Sequence, residues 1–365
     1  EEIFNGTLRY QHTYVGENTV QIKDLLTNKT KEITFDAQNR VQKVTVDGKE
    51  IHFKYGKRGN LLSQTIQDGE APYTHQYEYN DEDQNTVIIH PNQGEYHFDY
   101  DEEGRVIIIG VPNDTSGSYD YDDNGRITKL NLLKHDGSTI AKYTYEYDAN
   151  NNRTKVTDHT GKTIHYTYDE QDQLLSETDP VTGNTISYTY DAVGNRTSKV
   201  IRDPKGKQLF VVKYLYNEAN QLIQVQDQPF TYDTHGNLTH DGTKKYLWDH
   251  AGRLIEIQNK ENTTIATFIY DEEGRRIQST IYGKVTNYVY DGDSIDVLYE
   301  TNQRNQITCM YTRSATGQLL SMTKASGETY YYHYNAHEDV IAITDQNHQT
   351  VATYVYDAWG NVLEQ

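Results

Sequence analysis

The segment Tyr190-Asp191-Ala192-Val193-Gly194-Asn195-Arg196 decides the fold, because the chain repeats its pattern almost from end to end. Close copies are Tyr100-Asp101-Glu102-Glu103-Gly104-Arg105, Tyr232-Asp233-Thr234-His235-Gly236-Asn237 and Tyr356-Asp357-Ala358-Trp359-Gly360-Asn361. A pattern that recurs along a chain is typical of repeat architectures and determines how every local motif is interpreted.

About 16 aromatic residues anchor the units, at intervals of about 16 to 26 residues, a spacing that is common in repeat proteins. The anchors are Phe35, Tyr55, Tyr79, Tyr100, Tyr121, Tyr147, Tyr168, Tyr190, Tyr216, Tyr232, Trp248, Tyr270, Tyr290, Tyr311, Tyr334 and Tyr356. Residues 1–95 and 291–329 follow the pattern less regularly. Because each repeat is stabilised by contacts with its neighbours, we predict one continuous segment over residues 1–365 rather than two or three separate domains.

The residues before each anchor alternate between apolar and polar. In Ile164-His165-Tyr166-Thr167-Tyr168, the first, third and fifth side chains share one face. Alternation of β-branched and aromatic residues with polar ones predicts a β-strand. A second strand such as Leu174-Leu175-Ser176-Glu177-Thr178 follows each turn.

The residues after each anchor are those that a hairpin turn requires. Asp can bond the backbone amide two residues later, and the residue three positions after Asp tolerates a left-handed backbone. That residue is glycine at Gly104, Gly125, Gly194, Gly236, Gly252, Gly274 and Gly360, and Asn or Asp at Asn39, Asn151, Asp172 and Asn220. The sequence therefore predicts an all-β fold: a curved antiparallel strip of consecutive β-hairpins with almost no helix.

Composition supports an ordered, acidic protein. Only 35% of the 365 residues are hydrophobic, yet 33 are tyrosine, and disordered chains are poor in aromatic residues. The net charge of −20 argues against nucleic acid as a partner. The one cysteine, Cys309, permits no internal disulfide, and we expect neither a membrane-spanning segment nor a signal peptide in residues 1–365.

Three motifs resemble ligand sites, and each has a simpler explanation. Asp120-Tyr121-Asp122-Asp123-Asn124-Gly125 matches half of a calcium loop, but Asn131 stands where that loop needs a glutamate. His333, His337 and Glu338 do not follow zinc-binding spacing, although Glu338 occupies a position usual for glycine. Gly161-Lys162-Thr163 lacks the upstream glycine of a phosphate loop. We therefore predict no catalytic residue, metal or cofactor.

The units resemble the RHS/YD repeats of bacterial Rhs and wall-associated polymorphic toxins, of the B and C components of ABC toxin complexes, and of teneurins. The resemblance covers about residues 30 to 365 and includes the segments Tyr288-Val289-Tyr290-Asp291-Gly292-Asp293 and Tyr331–Asn361. The repeat residues that we expect to build the wall are Tyr100, Asp101, Gly104, Tyr168, Asp169, Tyr190, Asp191, Gly194, Tyr232, Asp233, Gly236, Tyr356, Asp357 and Gly360. The core segment and toxin domain of the family have no counterpart within residues 1–365.

The resemblance implies a spiral shell of β-hairpins. About 32 strands spaced by about 4.8 Å would make a strip of about 150 Å, enough for one turn with a diameter of about 50 Å. The resemblance also implies a structural role in a secreted or surface-delivered bacterial protein, where the partners are further repeats and a C-terminal effector. The alternative is an adhesion module of the teneurin type that binds a cell surface or carbohydrate such as cell-wall glycans.

Overall fold

The computed structural model describes residues 2–4, 7–25, 27–46, 48–67, 72–292 and 294–365. Asp293, part of the repeat segment Tyr288–Asp293, lies outside these ranges. The described residues form 37 β-strands and no helix, so the all-β prediction is confirmed, with somewhat more strands than expected. Within the described part, no helix exists that could cross a membrane.

The first half of the chain contains β1 to β19. Their bounds are β1 Glu2–Phe4, β2 Thr7–Tyr14, β3 Thr19–Asp24, β4 Lys29–Phe35, β5 Val41–Val46, β6 Lys49–Tyr55, β7 Leu61–Gln67, β8 Tyr73–Tyr79, β9 Asn85–His90, β10 Gly94–Tyr100, β11 Val106–Gly110, β12 Ser116–Tyr121, β13 Ile127–Leu133, β14 Thr139–Tyr147, β15 Arg153–Asp158, β16 Thr163–Tyr168, β17 Leu174–Thr178, β18 Thr185–Tyr190 and β19 Arg196–Arg202.

The second half contains β20 to β37. Their bounds are β20 Gln208–Tyr216, β21 Leu222–Val225, β22 Gln228–Pro229, β23 Thr231–Tyr232, β24 Leu238–His240, β25 Lys245–Trp248, β26 Leu254–Gln258, β27 Thr264–Tyr270, β28 Arg276–Ile281, β29 Lys284–Tyr290, β30 Val297–Thr301, β31 Ile307–Arg313, β32 Leu319–Lys324, β33 Thr329–Tyr334, β34 Val340–Asp345, β35 Thr350–Thr353, β36 Val355–Tyr356 and β37 Val362–Glu364.

The chain divides into two compact units. Unit 1 comprises Glu1–Arg105, Gly110–Pro112 and Tyr246–Thr329. Unit 2 comprises Val106–Ile109, Asn113–Lys245 and Tyr330–Gln365. The prediction of a single segment over residues 1–365 stays a prediction.

Unit 1 is built from two runs of antiparallel strands. β1 to β10 pair in chain order, and so do β26 to β32. Buried side chains of the first run, including Tyr10, Val44 and Ile51, pack in one cluster with Leu298 and Tyr299 of the second. Contacts between residues more than 200 positions apart in the chain therefore form the core of this unit.

Unit 2 follows the same plan. β12 to β22 pair in chain order, whereas β36 pairs with β37 alone. The core contains Leu130, Tyr145 and Tyr166 from the long run and Ile341 from the late hairpins. Tyrosine occupies core positions because its ring is apolar while its hydroxyl can reach a polar partner.

The predicted alternation is present in the strands. On β16, Tyr166 is buried, Thr167 is exposed, and Tyr168 is half-buried. We call the sheet face that carries Tyr166, Tyr168 and their counterparts in other units the anchor face. One anchor was assigned wrongly: β31 continues two residues beyond Tyr311 and ends at Arg313, before the turn that Gly317 closes. Cysteine 309 on this strand is buried, and burial raises its pKa to about 11.

Candidate functional site

The aspartate that opens the repeat turn uses one carboxylate oxygen to bond two backbone amides. Asp191 Oδ1 accepts hydrogen bonds from the amides of Val193 at 3.1 Å and Asn195 at 2.9 Å, and Gly194 has a φ of +88°. Equivalent carboxylate bonds occur at Asp101, Asp169, Asp233 and Asp357, and Gly104, Gly236 and Gly360 have φ values of +81°, +86° and +78°. These residues therefore lie in one recurring hairpin turn.

The residue after the turn glycine supplies a second contact that the sequence argument missed. Arg105 Nε donates to Asp101 Oδ2 at 2.6 Å, and Asn195 Nδ2 donates to Asp191 Oδ2 at 3.0 Å. The Asn195 side-chain hydrogen bond lowers the pKa of the Asp191 carboxyl. Arginine and asparagine recur at this position because each offers a side-chain N–H to the remaining carboxylate oxygen.

The anchor hydroxyls link each hairpin to the hairpin before it. Twelve anchors donate to the carbonyl five residues after the preceding turn-opening residue, over 2.7 to 3.1 Å. The pairs are Tyr55–Val41, Tyr79–Leu61, Tyr100–Asn85, Tyr121–Val106, Tyr147–Ile127, Tyr168–Arg153, Tyr190–Leu174, Tyr216–Arg196, Tyr232–Leu222, Tyr270–Leu254, Tyr290–Arg276 and Tyr356–Val340. This ladder explains why the repeat uses tyrosine rather than phenylalanine.

Removing one hydroxyl of the ladder tests this explanation. Tyr168→Phe is expected to destabilise unit 2 by about 1 kcal/mol, because the Arg153 carbonyl loses a half-buried donor. Urea unfolding followed by circular dichroism measures the change. Tyr14→Phe, on a side chain that is 80% exposed, is the control and should have no effect. Equal stability of both variants and the parent would contradict the ladder.

The structure does not bring His333 and His337 together. His333 is buried on β33, where its Nε2 lies 2.9 Å from Thr344 Oγ1. His337 is exposed in the following turn, with its Nδ1 3.4 Å from Asp339. Glu338 has a φ of +64° in a turn of the usual length, so this position is a strained turn.

The other two predicted motifs also lie in hairpin turns. Asp122 Oδ1 accepts from the amides of Asn124 and Arg126, and its Oδ2 accepts from Arg126 Nε at 2.7 Å. Asp158 Oδ1 accepts from the Lys162 amide at 3.0 Å, which places Gly161-Lys162-Thr163 in the turn between β15 and β16. Turn geometry accounts for both sequences.

One acidic cluster lies in unit 1. Carboxylate oxygens of Asp271, Glu272 and Glu273 lie within 4.8 Å of one another. Arg275 Nε donates to Asp271 at 2.8 Å, and Lys31 Nζ lies 3.4 Å from Glu272 and 3.5 Å from Glu273. Because all three acids have cationic neighbours, the cluster is an ion-pair network.

Two late turns of unit 2 dock on strands from much earlier in the chain. The Ala336 amide donates to Tyr145 Oη at 3.3 Å, across 191 residues. The Ala358 amide donates to Glu177 Oε2 at 2.7 Å, across 181 residues. Since β36 and β37 pair only with each other, the Glu177 contact and the bond from the Tyr356 hydroxyl to the Val340 carbonyl help to hold the last hairpin in place.

Glu177 is a buried acid at the centre of this contact. The residue is only 2% exposed, and its Oε1 accepts from the Tyr188 hydroxyl at 2.5 Å. Burial raises the pKa of its carboxyl. Glu177 is paired with Tyr166, as Val156 is paired with Tyr145 two strands earlier, so an acid stands where that earlier unit has a valine. That substitution was the available sequence signal.

The docked turn also makes charge and ring contacts. The buried Asp357 carboxylate lies 3.6 Å from Lys199 Nζ. The Trp359 indole meets the Tyr188 ring edge-on at 5.5 Å, and the Arg196 guanidinium lies 4.4 Å from the indole centroid. The ion pair of Asp357 with Lys199 and the cation–π contact of Trp359 with Arg196 thus hold this turn to the anchor face.

Three arginines occupy anchor-face positions that other units fill with aliphatic residues such as Ile127 and Leu174. Their nearest ring contacts are Arg153 with Tyr166 at 5.2 Å, Arg196 with Trp359 at 4.4 Å and Arg276 with Phe268 at 5.3 Å. Among the described residues, none of the three guanidinium groups has an ion-pair partner. Cation–π contact is favourable, but it leaves the charge without a counter-ion.

A cleft of about 580 Å³ lies in unit 2 between β14 to β18 and the two docked turns. Its lining includes Arg153, the rings of Tyr166 and Tyr190, and Ala358 and Trp359 of the last turn. Its volume is within the range of ligand sites in proteins. The cleft therefore combines aromatic walls with the Asp172 carboxylate, which accepts from Asn150 and Asn152, and with one guanidinium that has no ion-pair partner among the described residues.

Comparison with protein families gives matches over most of the chain. The teneurin YD-shell model matches residues 18–120 and 159–365, and the RHS repeat model matches residues 121–163.

Similar curated proteins are much longer than this chain. The tRNA3(Ser)-specific nuclease WapA of Bacillus spizizenii is 42% identical over 217 residues, which are 59% of this chain and 8% of that protein. The tRNA nuclease WapA of Bacillus subtilis strain 168 is 41% identical over the same proportions. The matched segment of the chain thus covers about a twelfth of the length of these relatives.

Solved toxin complexes share the fold. The TcdB2-TccC3-Cdc42 crystal structure superposes with a TM-score of 0.65 over 94% of this chain and 20% of that chain, at 15% identity. The Tc holotoxin pore of Photorhabdus luminescens gives 0.61 over 98% of this chain and 19% of that chain, at 16% identity.

Proposed function

We propose that this chain, which belongs to the RHS/YD-repeat family, is a non-catalytic segment of a structural shell. The shell would enclose or carry a C-terminal toxin or effector in a secreted or surface-delivered bacterial protein. The observation that carries the proposal is the ladder of anchor hydroxyls, which binds each hairpin to the preceding one. Repeated polar residues thereby build a wall.

The turn chemistry supports the absence of a catalytic role. Asp101 and Asp191 each use both carboxylate oxygens inside their own turns. The Tyr168 and Tyr190 hydroxyls donate to backbone carbonyls. A nucleophile or general base needs a group within reach of a substrate, and these groups are already engaged.

The relatives support a toxin context. Two similar proteins are named as tRNA nucleases, and the structural neighbours are toxin complexes. We propose further repeats and a C-terminal effector as the partners of this segment, with no cofactor. The adhesion or glycan-binding alternative stays a prediction, and no contact within the described residues favours it.

Encapsulation can be tested in the full-length polypeptide. A protease site inserted after Gln365 allows the chain to be cut between the shell segment and whatever follows it. We expect the cut C-terminal fragment to co-elute with the shell in size-exclusion chromatography and to resist further digestion until the shell is denatured. Immediate separation and digestion of the fragment under native conditions would refute encapsulation.

A further inference from the structure

We propose that the cleft beside Arg153 binds the turn of a further repeat, one in which an aromatic residue stands two positions after an aspartate. The inference rests on the proposed function, because it needs repeats beyond those of this chain. It assigns a defined polypeptide ligand to a site that the ladder and the turn chemistry leave unused.

The last turn of the chain supplies the template. Asp357 lies against the Lys199 ammonium, and Trp359 lies against the Arg196 guanidinium. The Ala358 amide between them donates to Glu177. The anchor face thus already binds an Asp-x-aromatic turn of its own chain through two cations and one acceptor.

Arg153 places a further cation on the anchor face, and this cation has no ion-pair partner among the described residues. Its guanidinium lies 5.2 Å from the Tyr166 ring and lines the cleft, with Tyr147, Tyr168 and Tyr190 as further aromatic walls. The hydroxyls of those three tyrosines donate to backbone carbonyls, so they present ring surface to the cleft. Aromatic surface beside a cation suits an aromatic side chain that is followed or preceded by an acid.

A carboxylate is the expected counter-ion. Where arginine follows the turn glycine, an aspartate neutralises it, as Asp122 neutralises Arg126 at 2.7 Å. Arg153 lies one residue further along its turn than Arg126 does, and Asn152 fills the position that contacts Asp148. A guanidinium that is partly removed from water gains most from a bidentate carboxylate.

The ligand is a repeat turn rather than another anion for two reasons. The relatives are much longer than this chain, and the turn that the anchor face already binds comes from a repeat of the chain itself. A nucleic-acid phosphate would meet a chain whose net charge is −20, which disfavours polyanions.

Trp359 fluorescence can report occupancy of the cleft. Trp248 is the only other tryptophan, so Trp248→Phe leaves one emitter, which lines the cleft. The probe is a cyclic peptide of sequence Tyr-Asp-Ala-Phe-Gly-Asn, which contains no tryptophan. We expect saturable quenching with a dissociation constant of about 1 mM or tighter, a range suited to a single turn.

Two substitutions distinguish specific from nonspecific binding. Arg153→Gln should weaken the peptide at least about tenfold, the effect of one lost charge-assisted contact. Lys155→Gln is the matched control, because Lys155 lies on the same strand but pairs with the exposed Glu146. A peptide with Asn in place of Asp should bind the parent protein as weakly as the Asp peptide binds the Arg153→Gln variant.

Three results would overturn the proposal. They are no quenching by the peptide, equal binding of the Asp and Asn peptides, or an equal loss of peptide affinity in Arg153→Gln and Lys155→Gln. Tighter quenching by a single-stranded oligonucleotide than by the peptide would also overturn it and assign the site to phosphate. Far-ultraviolet circular dichroism of each variant verifies that the sheet is intact. Because the titration does not involve an effector, its failure is distinguishable from failure of encapsulation.

Discussion

Glu177→Ala is expected to weaken the docking of the last hairpin and to destabilise unit 2 by about 2–4 kcal/mol. The substitution removes the acceptor of the Tyr188 hydroxyl and of the Ala358 amide. The first of these hydrogen bonds is buried, and the second is partly buried between the last turn and β17. A buried donor that loses its partner costs more than the hydrogen bond itself contributes.

Hydrogen exchange measured by mass spectrometry gives the local readout. Amides of residues 355–364 should exchange faster in the variant, while those of β12 to β14 keep the rates of the parent protein. Glu146→Ala is the control, because its ion pair with Lys155 is exposed and worth at most about 1 kcal/mol. Unchanged exchange over residues 355–364 in Glu177→Ala would show that Glu177 does not hold the hairpin.

Acidification from pH 7 to pH 4 is expected to destabilise both units through buried histidines. Burial lowers the pKa of His75 to about 4, that of His90 to about 3 and that of His333 to about 4. The unfolded chain, with histidine pKa values near about 6.5, therefore binds more protons than the folded chain in this range. The stability that depends on these neutral histidines is fully present above about pH 6.5. It is lost as the pH falls toward the pKa values that the histidines have in the folded protein.

The size of the effect follows from the pKa difference. A difference of about 2.5 in pKa corresponds to about 3 kcal/mol for a fully buried histidine. Carboxylates also titrate in this range, so a variant must isolate the histidine contribution. His333→Gln retains a polar partner for Thr344 but cannot titrate, and its stability should fall less steeply between pH 6.5 and 4.

His337→Gln provides the comparison, since the His337 side chain is 70% exposed. Its stability should follow the parent protein at every pH. Urea midpoints measured at half-unit pH steps give both curves. Parallel curves for His333→Gln and the parent would mean that the buried imidazole does not control acid stability.

Local chemistry made the hairpin readable from sequence. Asp191, Gly194 and Tyr190 each have a role that depends on residues within one unit or the next, so their spacing was informative. The carboxylate contact of Asn195 lies in the same turn and could have been inferred from the recurring Gly-Asn and Gly-Arg pairs.

Long-range docking was not readable in the same way. Nothing in the turn at Ala358 specifies that its partner lies on β17, because that pairing depends on how the strip folds back within unit 2. Glu177, at the position that Val156 fills two strands earlier, was a signal of a buried polar contact without a named partner. Tyr311 was misassigned because it and Arg313 share one face, so alternation alone could not place the end of the strand.

A cryo-electron microscopy map of the full-length polypeptide tests the central claim most directly. These hairpins are expected to form part of a continuous wall, with density for the C-terminal segment inside the space that the wall encloses. A map with the C-terminal segment outside the wall, tethered in solvent, would contradict the account.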